Sequence, residues 1–173
     1  VHANGYFEGT VNFGAGNVTA SNTDAYVIKL NAAGAHQWTT TYDGTSVEVG
    51  FGVAVDGSGN VHVTGYFQGT VDLGAGDVTS AGSNDVFVTK LNAAGVHQWT
   101  TTLGGTNDDR PQSVAVDGSG NVHTTGFFKG TVDFGAGDVT SAGDADVFVV
   151  KLNSAGQAVV AGGGGGGGGG GTP

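Results

Sequence analysis

The 173-residue chain contains no cysteine and no methionine, only two prolines, and five Lys and Arg residues against 15 Asp and Glu. The absence of cysteine excludes disulfides and thiolate metal sites. The formal net charge of −10 leaves no basic surface for phosphates, so we expect neither nucleic acid nor an anionic membrane surface as a partner. Apolar runs fall short of the roughly 20 residues of a spanning helix, and we expect no membrane insertion.

The composition also bears on location. The chain begins at Val1 and not at methionine, so we expect it to be cut from a longer precursor or to be a segment of one. A chain rich in Thr, Ser, Asn, Gly and Asp but poor in Lys is typical of a secreted bacterial protein. We therefore predict an extracellular or cell-surface location.

Glycine is abundant, with 36 residues, and much of it belongs to an internal repeat. The heptapeptide GYFEGTV at residues 5–11 returns as GYFQGTV at 65–71 and as GFFKGTV at 126–132. Asp24, Asp85 and Asp146 recur with the same period of roughly 60 residues. A fixed period of this kind predicts one supersecondary unit built nearly three times.

Each repeat contains four extended runs, which the second repeat shows most clearly. Its runs are residues 51–53, 60–71, 86–91 and 97–102, rich in Val, Thr, Phe, Tyr and Trp and separated by Gly, Asn, Asp and Ser. No stretch has helical periodicity. The pattern predicts an all-β fold, an incomplete β-propeller of about three four-stranded antiparallel blades. A three-fold β-prism, in which three four-stranded sheets close on one another, is the alternative.

The repeats also predict the domain organisation. We assign residues 1–161 to the propeller repeats, divided at about 1–52, 53–113 and 114–161, and residues 162–173 to a polyglycine tail. Ten consecutive glycines have no side chains to bury, which favours a flexible linker. A polyglycine helix packed against a partner is the alternative.

Several short motifs recur within the repeat. They are AVD at 54–56, GNV at 59–61, VTG at 63–65, DVFVTKLN at 85–92 and LGG at 103–105, with Trp99 before the last. Together they resemble the bacterial seven-bladed β-propeller (SBBP) repeat family, over nearly the whole chain to Gly156. The resemblance implies an extracellular or surface-anchored bacterial protein without defined catalytic residues. His62 and His123 depart from the family pattern, which often has tyrosine there.

Two Gly-rich turns, DLGAGD and DFGAGD, carry paired carboxylates and are the candidate metal sites. The carboxylates are Asp72, Asp77, Asp133 and Asp138. Ca²⁺ prefers oxygen ligands and is the candidate ion. The first repeat has asparagine at both positions, and a surface turn explains all three copies.

Other recurring residues have both a functional and a structural interpretation. Trp38 and Trp99 are candidate ligand-binding residues, either as platforms for stacking a sugar or as packing between blades. His2, His62 and His123 would form a metal site if three blades converged, or stand half-buried in place of an aromatic residue. The DGSGN turns at 56–60 and 117–121 have one carboxylate each, which predicts an Asp-capped hairpin and not a calcium loop.

No Ser–His–Asp set and no phosphate-binding loop stands out, so we predict no enzyme. The sequence favours a non-catalytic extracellular or cell-surface scaffold. Its partner would be a protein, a matrix component, further blades of the parent chain or another copy. A glycan- or calcium-binding propeller module is the alternative, and a hydrolase or lyase completed by other blades is a third. No cofactor other than Ca²⁺ is expected.

Overall fold

The computed structural model describes residues 1–159, and the polyglycine segment assigned to residues 162–173 lies outside them. Within the described residues the chain is all-β, as predicted, and contains no helix long and apolar enough to cross a membrane. Fourteen strands follow one another there: β1 (His2–Asn12), β2 (Asn17–Leu30), β3 (His36–Tyr42), β4 (Glu48–Val55), β5 (Val61–Phe67), β6 (Thr70–Asp72), β7 (Asp77–Thr79), β8 (Asp85–Leu91), β9 (His97–Leu103), β10 (Arg110–Val116), β11 (Val122–Phe128), β12 (Thr131–Asp133), β13 (Asp138–Thr140) and β14 (Asp146–Leu152).

Ten of these strands form three antiparallel sheets, which we number as blades. Blade 1 contains β1, β2 and β3, blade 2 contains β4, β5, β8 and β9, and blade 3 contains β10, β11 and β14. Within residues 1–159, blade 2 has the predicted four strands, and blades 1 and 3 have three each. In blade 3 a single bridge from Leu152 to Ala158 stands at the edge where blade 2 has its fourth strand. The architecture is the predicted incomplete β-propeller.

The second and third blades begin earlier in the sequence than the predicted repeats. β4 starts at Glu48 and β10 starts at Arg110, so the predicted boundaries at 52/53 and 113/114 fall inside these strands. The prediction began each repeat at its first apolar run. The strands also include the polar and glycine residues before that run, because these residues pair with β5 and β11, as Glu48 does with Phe67.

A short hairpin at the end of each blade is a feature that the sequence did not predict. Residues 60–71 were expected to form one strand, but the strand ends at Phe67 and resumes at Thr70, with Gly69 between them at φ 76°. The resumed segment, β6, pairs with β7, and β12 pairs with β13 in the same way. In blade 1 the corresponding strands are continuous, with a register shift between Glu8 and Thr10.

The three blades lie in a row around β4. β4 packs against β1 and β2 of blade 1 on one side and against β10 of blade 3 on the other. Gly50 and Gly52 allow this approach, since a Cβ at Gly50 would meet Gly5 of β1 and one at Gly52 would meet Val114 of β10. A three-fold prism would also pack the first sheet against the third. The described strands instead make their main contacts with the middle blade, as in consecutive propeller blades.

Blade 2 contributes its two faces to two separate hydrophobic cores. Along β8, Phe87 points into the core shared with blade 1, while Val86 and Val88 point into the core shared with blade 3, as the period of two in a strand requires. The first core also contains Ala25, Val27, Tyr42, Val61, Val63, Phe67 and Leu91. The second core also contains Leu103, Val114, Val122, Phe128, Phe148, Val150 and Leu152. The fold is thus stabilised between blades.

Candidate functional site

The candidate sugar-binding residues Trp38 and Trp99 occupy the same position in blades 1 and 2 and attach each blade to the next. The indole N–H of Trp38 donates to the carbonyl oxygen of Ala93 at 3.2 Å, and that of Trp99 donates to Ser154 at 3.1 Å. Ala93 lies in the turn between β8 and β9, and Ser154 lies in the matching turn after β14. The structure therefore gives both indoles the packing role between blades that was one of their two interpretations.

A glycine in each of these turns makes room for the indole. Gly95 and Gly156 have φ values of +83° and +82°, and a Cβ on either would lie under 3.0 Å from the ring of Trp38 or Trp99. The threonine two residues after each tryptophan donates its hydroxyl to the carbonyl oxygen of the same glycine. We call this tryptophan–glycine contact the blade latch.

The latch predicts a loss of stability when its indole is removed. We expect Trp99→Ala to lower the free energy of unfolding by about 2–3 kcal/mol, below the cost for a fully buried tryptophan because Trp99 is half-buried. Urea unfolding followed by circular dichroism measures this change. Val96→Ala, in an exposed turn position, is the control and should stay within about 0.5 kcal/mol of the wild type. Equal stabilities of the two variants would contradict the latch.

Blade 3 exposes residues whose counterparts are buried in the other two blades. Val147 and Val149 are 82% and 73% exposed, whereas Val86 and Val88 at the same positions of blade 2 are each 0% exposed. In blade 1 the same two positions are again buried. We call the surface around Val147 and Val149 the exposed face of blade 3. It has the chemistry of a blade interface and not that of a solvated strand.

A cavity of about 400 Å³ continues the exposed face of blade 3. Its lining includes Phe134, Val149, Ala158 and Val159 and is largely apolar, with Lys151 as its charged member. Phe134 packs edge-on against Phe128 at 5.2 Å between ring centroids. A cavity of this composition suits an apolar side chain from a neighbouring element.

A polar cleft of about 300 Å³ lies between the DGSGN turns of blades 2 and 3. In the first turn, Asp56 Oδ1 accepts the backbone N–H groups of Ser58 and Asn60, both at 2.9 Å. Burial would raise the pKa of Asp56, but these bonds and the amide of Asn60 outweigh it and lower the pKa to about 2. The turn of Asp117 repeats the geometry. Each carboxylate caps its own hairpin, as the sequence predicted.

The four candidate calcium ligands lie in the β6–β7 and β12–β13 hairpins. Asp72 Oδ1 accepts the N–H groups of Gly74 at 2.7 Å and Gly76 at 3.0 Å, and Asp133 makes the same two bonds in its own turn. Asn12 makes them in blade 1, so the turn does not require a carboxylate. Asp77 and Asp138 stand opposite Asp72 and Asp133 across the two hairpins and are exposed. Calcium binding there stays a prediction.

The three histidines that could have formed a metal site, His2, His62 and His123, are not brought together. Residues 1–159 contain no group of three or more His, Cys, Asp and Glu side chains placed to hold a metal ion. His62 is completely buried, its ring lies 6.0 Å from that of Trp99, and burial lowers its pKa. His2 lies at the same distance from Trp38. His2 and His62 therefore pack against the tryptophan of their own blade, whereas His123 Nε2 lies 3.5 Å from Asp117 Oδ2.

Paired carboxylates at the blade junctions are the feature that the sequence analysis missed. A parallel bridge from Thr23 to Val47 brings the next residues, Asp24 and Glu48, together between blades 1 and 2. Asp24 is 1% exposed and Glu48 is 0% exposed. Burial, followed by the charge of Asp24, raises the pKa of Glu48 to about 7.

The same arrangement recurs between blades 2 and 3. The N–H of Asp109 donates to Asn84 at 2.8 Å, which places Asp109 beside Asp85. Asp85 is 4% exposed and Asp109 is 0% exposed. Burial raises the pKa of both carboxyls, and the charge of Asp109 contributes to the rise at Asp85. The signal was present in the sequence, because Glu48 and Asp109 recur with the same period as Asp24 and Asp85.

Comparison with known proteins supports the repeat. Residues 98–126 match a family model described as the SBBP beta-propeller repeat. The chain is also similar to an uncharacterised WD repeat-containing protein of Acanthamoeba polyphaga mimivirus, with 28% identity over 145 residues. That alignment covers 75% of this chain and 10% of the viral protein. The matched segment of residues 98–126 includes Trp99, the buried Asp109 and all of β10.

Proposed function

We propose that this chain, whose residues 98–126 are an SBBP β-propeller repeat, is a non-catalytic scaffold that binds protein through the faces of its blades. Repetition of one unit builds extended surfaces, and propeller repeats are a common platform for protein contacts. Asp56 and Asp72 cap their own hairpins, and Trp38 and Trp99 join neighbouring blades. An extracellular or cell-surface setting, with a protein or matrix partner, is part of this proposal.

One observation carries the proposal, the exposed face of blade 3. Val147 and Val149 occupy positions that the next blade covers in both other cases. A blade of the same repeat would cover them with a face like that of Val61, Val63 and Phe67. The partner that fits best is therefore another blade of this type, from the parent chain or from a second copy.

The match between opposite faces of the molecule supports this choice of partner. The face of blade 1 that points away from blade 2 carries Phe7 and Phe13, whose rings meet edge-on at 5.2 Å. Phe128 and Phe134 form the same pair in blade 3, where Phe128 is part of the core against blade 2. The outer face of blade 1 thus resembles the kind of face that packs against the preceding blade, which is the kind of face that would cover Val147 and Val149.

Charge substitutions on the exposed face test the proposal. We expect Val147→Asp/Val149→Asp to weaken self-association of the full chain at least about tenfold in sedimentation velocity, because contact would bury unpaired charge. Val96→Asp, another exposed valine outside this face, should leave association unchanged. If both variants associate like the wild type, or if the wild type stays monomeric at millimolar concentration, a second copy is not the partner. If the chain also fails to bind a separately added blade of the same repeat, the proposal that the exposed face of blade 3 binds protein is wrong.

A further inference from the structure

The two blade junctions hold carboxylate oxygens that are buried and lack hydrogen-bond partners. At the first junction these atoms are Asp24 Oδ1 and Glu48 Oε1. At the second junction the atom is Asp85 Oδ1. A buried carboxylate without a partner is costly, and the same cost at two equivalent places calls for a group that compensates it.

Glu48 and Asp85 are already held by their other oxygens. Glu48 Oε2 accepts the N–H of Gly44 at 3.1 Å, and Asp85 Oδ2 accepts the N–H of Ala81 at 2.8 Å. At the second junction, Asp109 accepts the N–H groups of Gly105 at 2.7 Å and Lys129 at 3.0 Å. The backbone therefore fixes the carboxylates and leaves one oxygen of Glu48 and one of Asp85 pointing to the junction.

A glycine lies against the oxygens of each junction, so closely that a side chain there would collide with them. A Cβ on Gly44 would collide with Glu48 Oε1 and with the backbone carbonyl oxygen of Thr70. At the second junction a Cβ on Gly104 would lie 2.6 Å from Asp85 Oδ1, and one on Gly105 would collide with the carbonyl oxygen of Thr131. At the second junction these oxygens come from blades 2 and 3, and at the first junction Asp24 adds a carboxylate of blade 1 to the two oxygens of blade 2.

Among the described residues, no Lys or Arg side chain pairs with the junction acids. The ion pairs of Lys and Arg there involve Asp56, Asp108, Asp117 and Asp144 instead. Hard divalent cations, Ca²⁺ above all, prefer such oxygen sets and keep water in the remaining positions.

We propose that each blade junction binds one divalent cation of the Ca²⁺ class, held by Asp24 and Glu48 at the first junction and by Asp85 and Asp109 at the second. The carbonyl oxygens of Thr70 and Thr131 complete the protein part of the two sites. One cation joins β2 of blade 1 to the start of blade 2, and the other joins β8 of blade 2 to the segment that begins blade 3. In these sites Ca²⁺ stabilises the contact between blades and lies away from the exposed acids of the hairpins.

Binding of Ca²⁺ to the full chain tests the proposal directly. Equilibrium dialysis at pH 7.5 should retain two Ca²⁺ per chain, and exchange from excess EGTA into Ca²⁺ at a hundredfold excess over its Kd should raise Tm by roughly 10–20 °C. Glu48→Gln and Asp85→Asn should each remove one bound ion and about half of the rise in Tm. If Glu48→Gln does not fold, Asp24→Asn reports on the same site.

Matched variants separate this site from its alternatives. Asp146 occupies the position of Asp24 and Asp85 in blade 3 but is half-buried, so Asp146→Asn should retain both ions. Asp72→Asn/Asp133→Asn should also retain both, and loss of Ca²⁺ in this variant would place the ion in the hairpins and overturn the proposal. A Tm that rises on acidification but does not respond to Ca²⁺ would overturn it too, because a shared proton would then hold the carboxylates together. The protein contacts of the blade faces do not depend on either outcome.

Discussion

The Phe87→Ala variant is expected to lose about 3–5 kcal/mol of unfolding free energy. Phe87 is 0% exposed and lies in the core between blades 1 and 2, where its ring centroid is 5.7 Å from that of Tyr42. Its neighbours belong to strands fixed by their ladders, so they cannot collapse into the space left by the ring. The loss therefore includes both the transfer of the ring and the cost of a cavity. Urea unfolding at neutral pH, followed by far-ultraviolet circular dichroism, measures it.

Phe51→Ala is the matched control for this loss. Phe51 is 48% exposed, and its ring lies 5.8 Å from that of Tyr66 at the surface. Its removal should cost less than about 1 kcal/mol, because little apolar surface leaves water there on folding. Equal losses in the two variants would mean that contacts between blades do not dominate stability, against the arrangement of the two cores.

Much of the fold could be predicted from the sequence because the repeat multiplies each local signal by three. The β-branched and aromatic residues of 86–91, the DGSGN turns and the period of roughly 60 residues each predicted what the structure shows. The hairpins β6–β7 and β12–β13 were missed because the extended pattern of residues 60–71 continues across Gly69. The positive φ of this glycine separates β5 from β6 and cannot be read from that pattern. The start of β4 was missed because Glu48 and the glycines after it do not look like a strand until their pairing with β5 is known.

The candidate site was less predictable than the fold. A turn or a capped hairpin depends on neighbours in sequence, and the capping role of Asp56 was therefore correctly anticipated. The role of Trp99 depends on a turn that lies 55 residues later in the chain. The junction of Asp24 with Glu48 depends on how two blades pack, which no local pattern specifies. The repeat period gave the one indication available, as each acid recurs in step with its partner.

The Gly65→Ala variant is expected to lose about 3 kcal/mol of unfolding free energy, although it adds a single methyl group. Gly65 lies in β5, where an added Cβ would collide with the backbone carbonyl oxygen of Val49 and would lie 2.5 Å from the Phe87 ring. A backbone carbonyl in a paired strand cannot rotate away as the end of a long side chain can. Urea unfolding under the conditions used for Phe87→Ala measures the loss.

Gly5→Ala makes the same change in the first copy of the repeat and is the control. Gly5 holds the position of Gly65, but the nearest contact of its Cβ would be the half-buried side chain of Tyr26, at 3.2 Å, and not a backbone carbonyl. We expect a change within about 1 kcal/mol there. Equal costs at the two glycines would show that alanine propensity, and not the close approach of β4, sets the requirement for glycine. Adding Phe87→Leu to Gly65→Ala should recover little, because the carbonyl of Val49 remains in place.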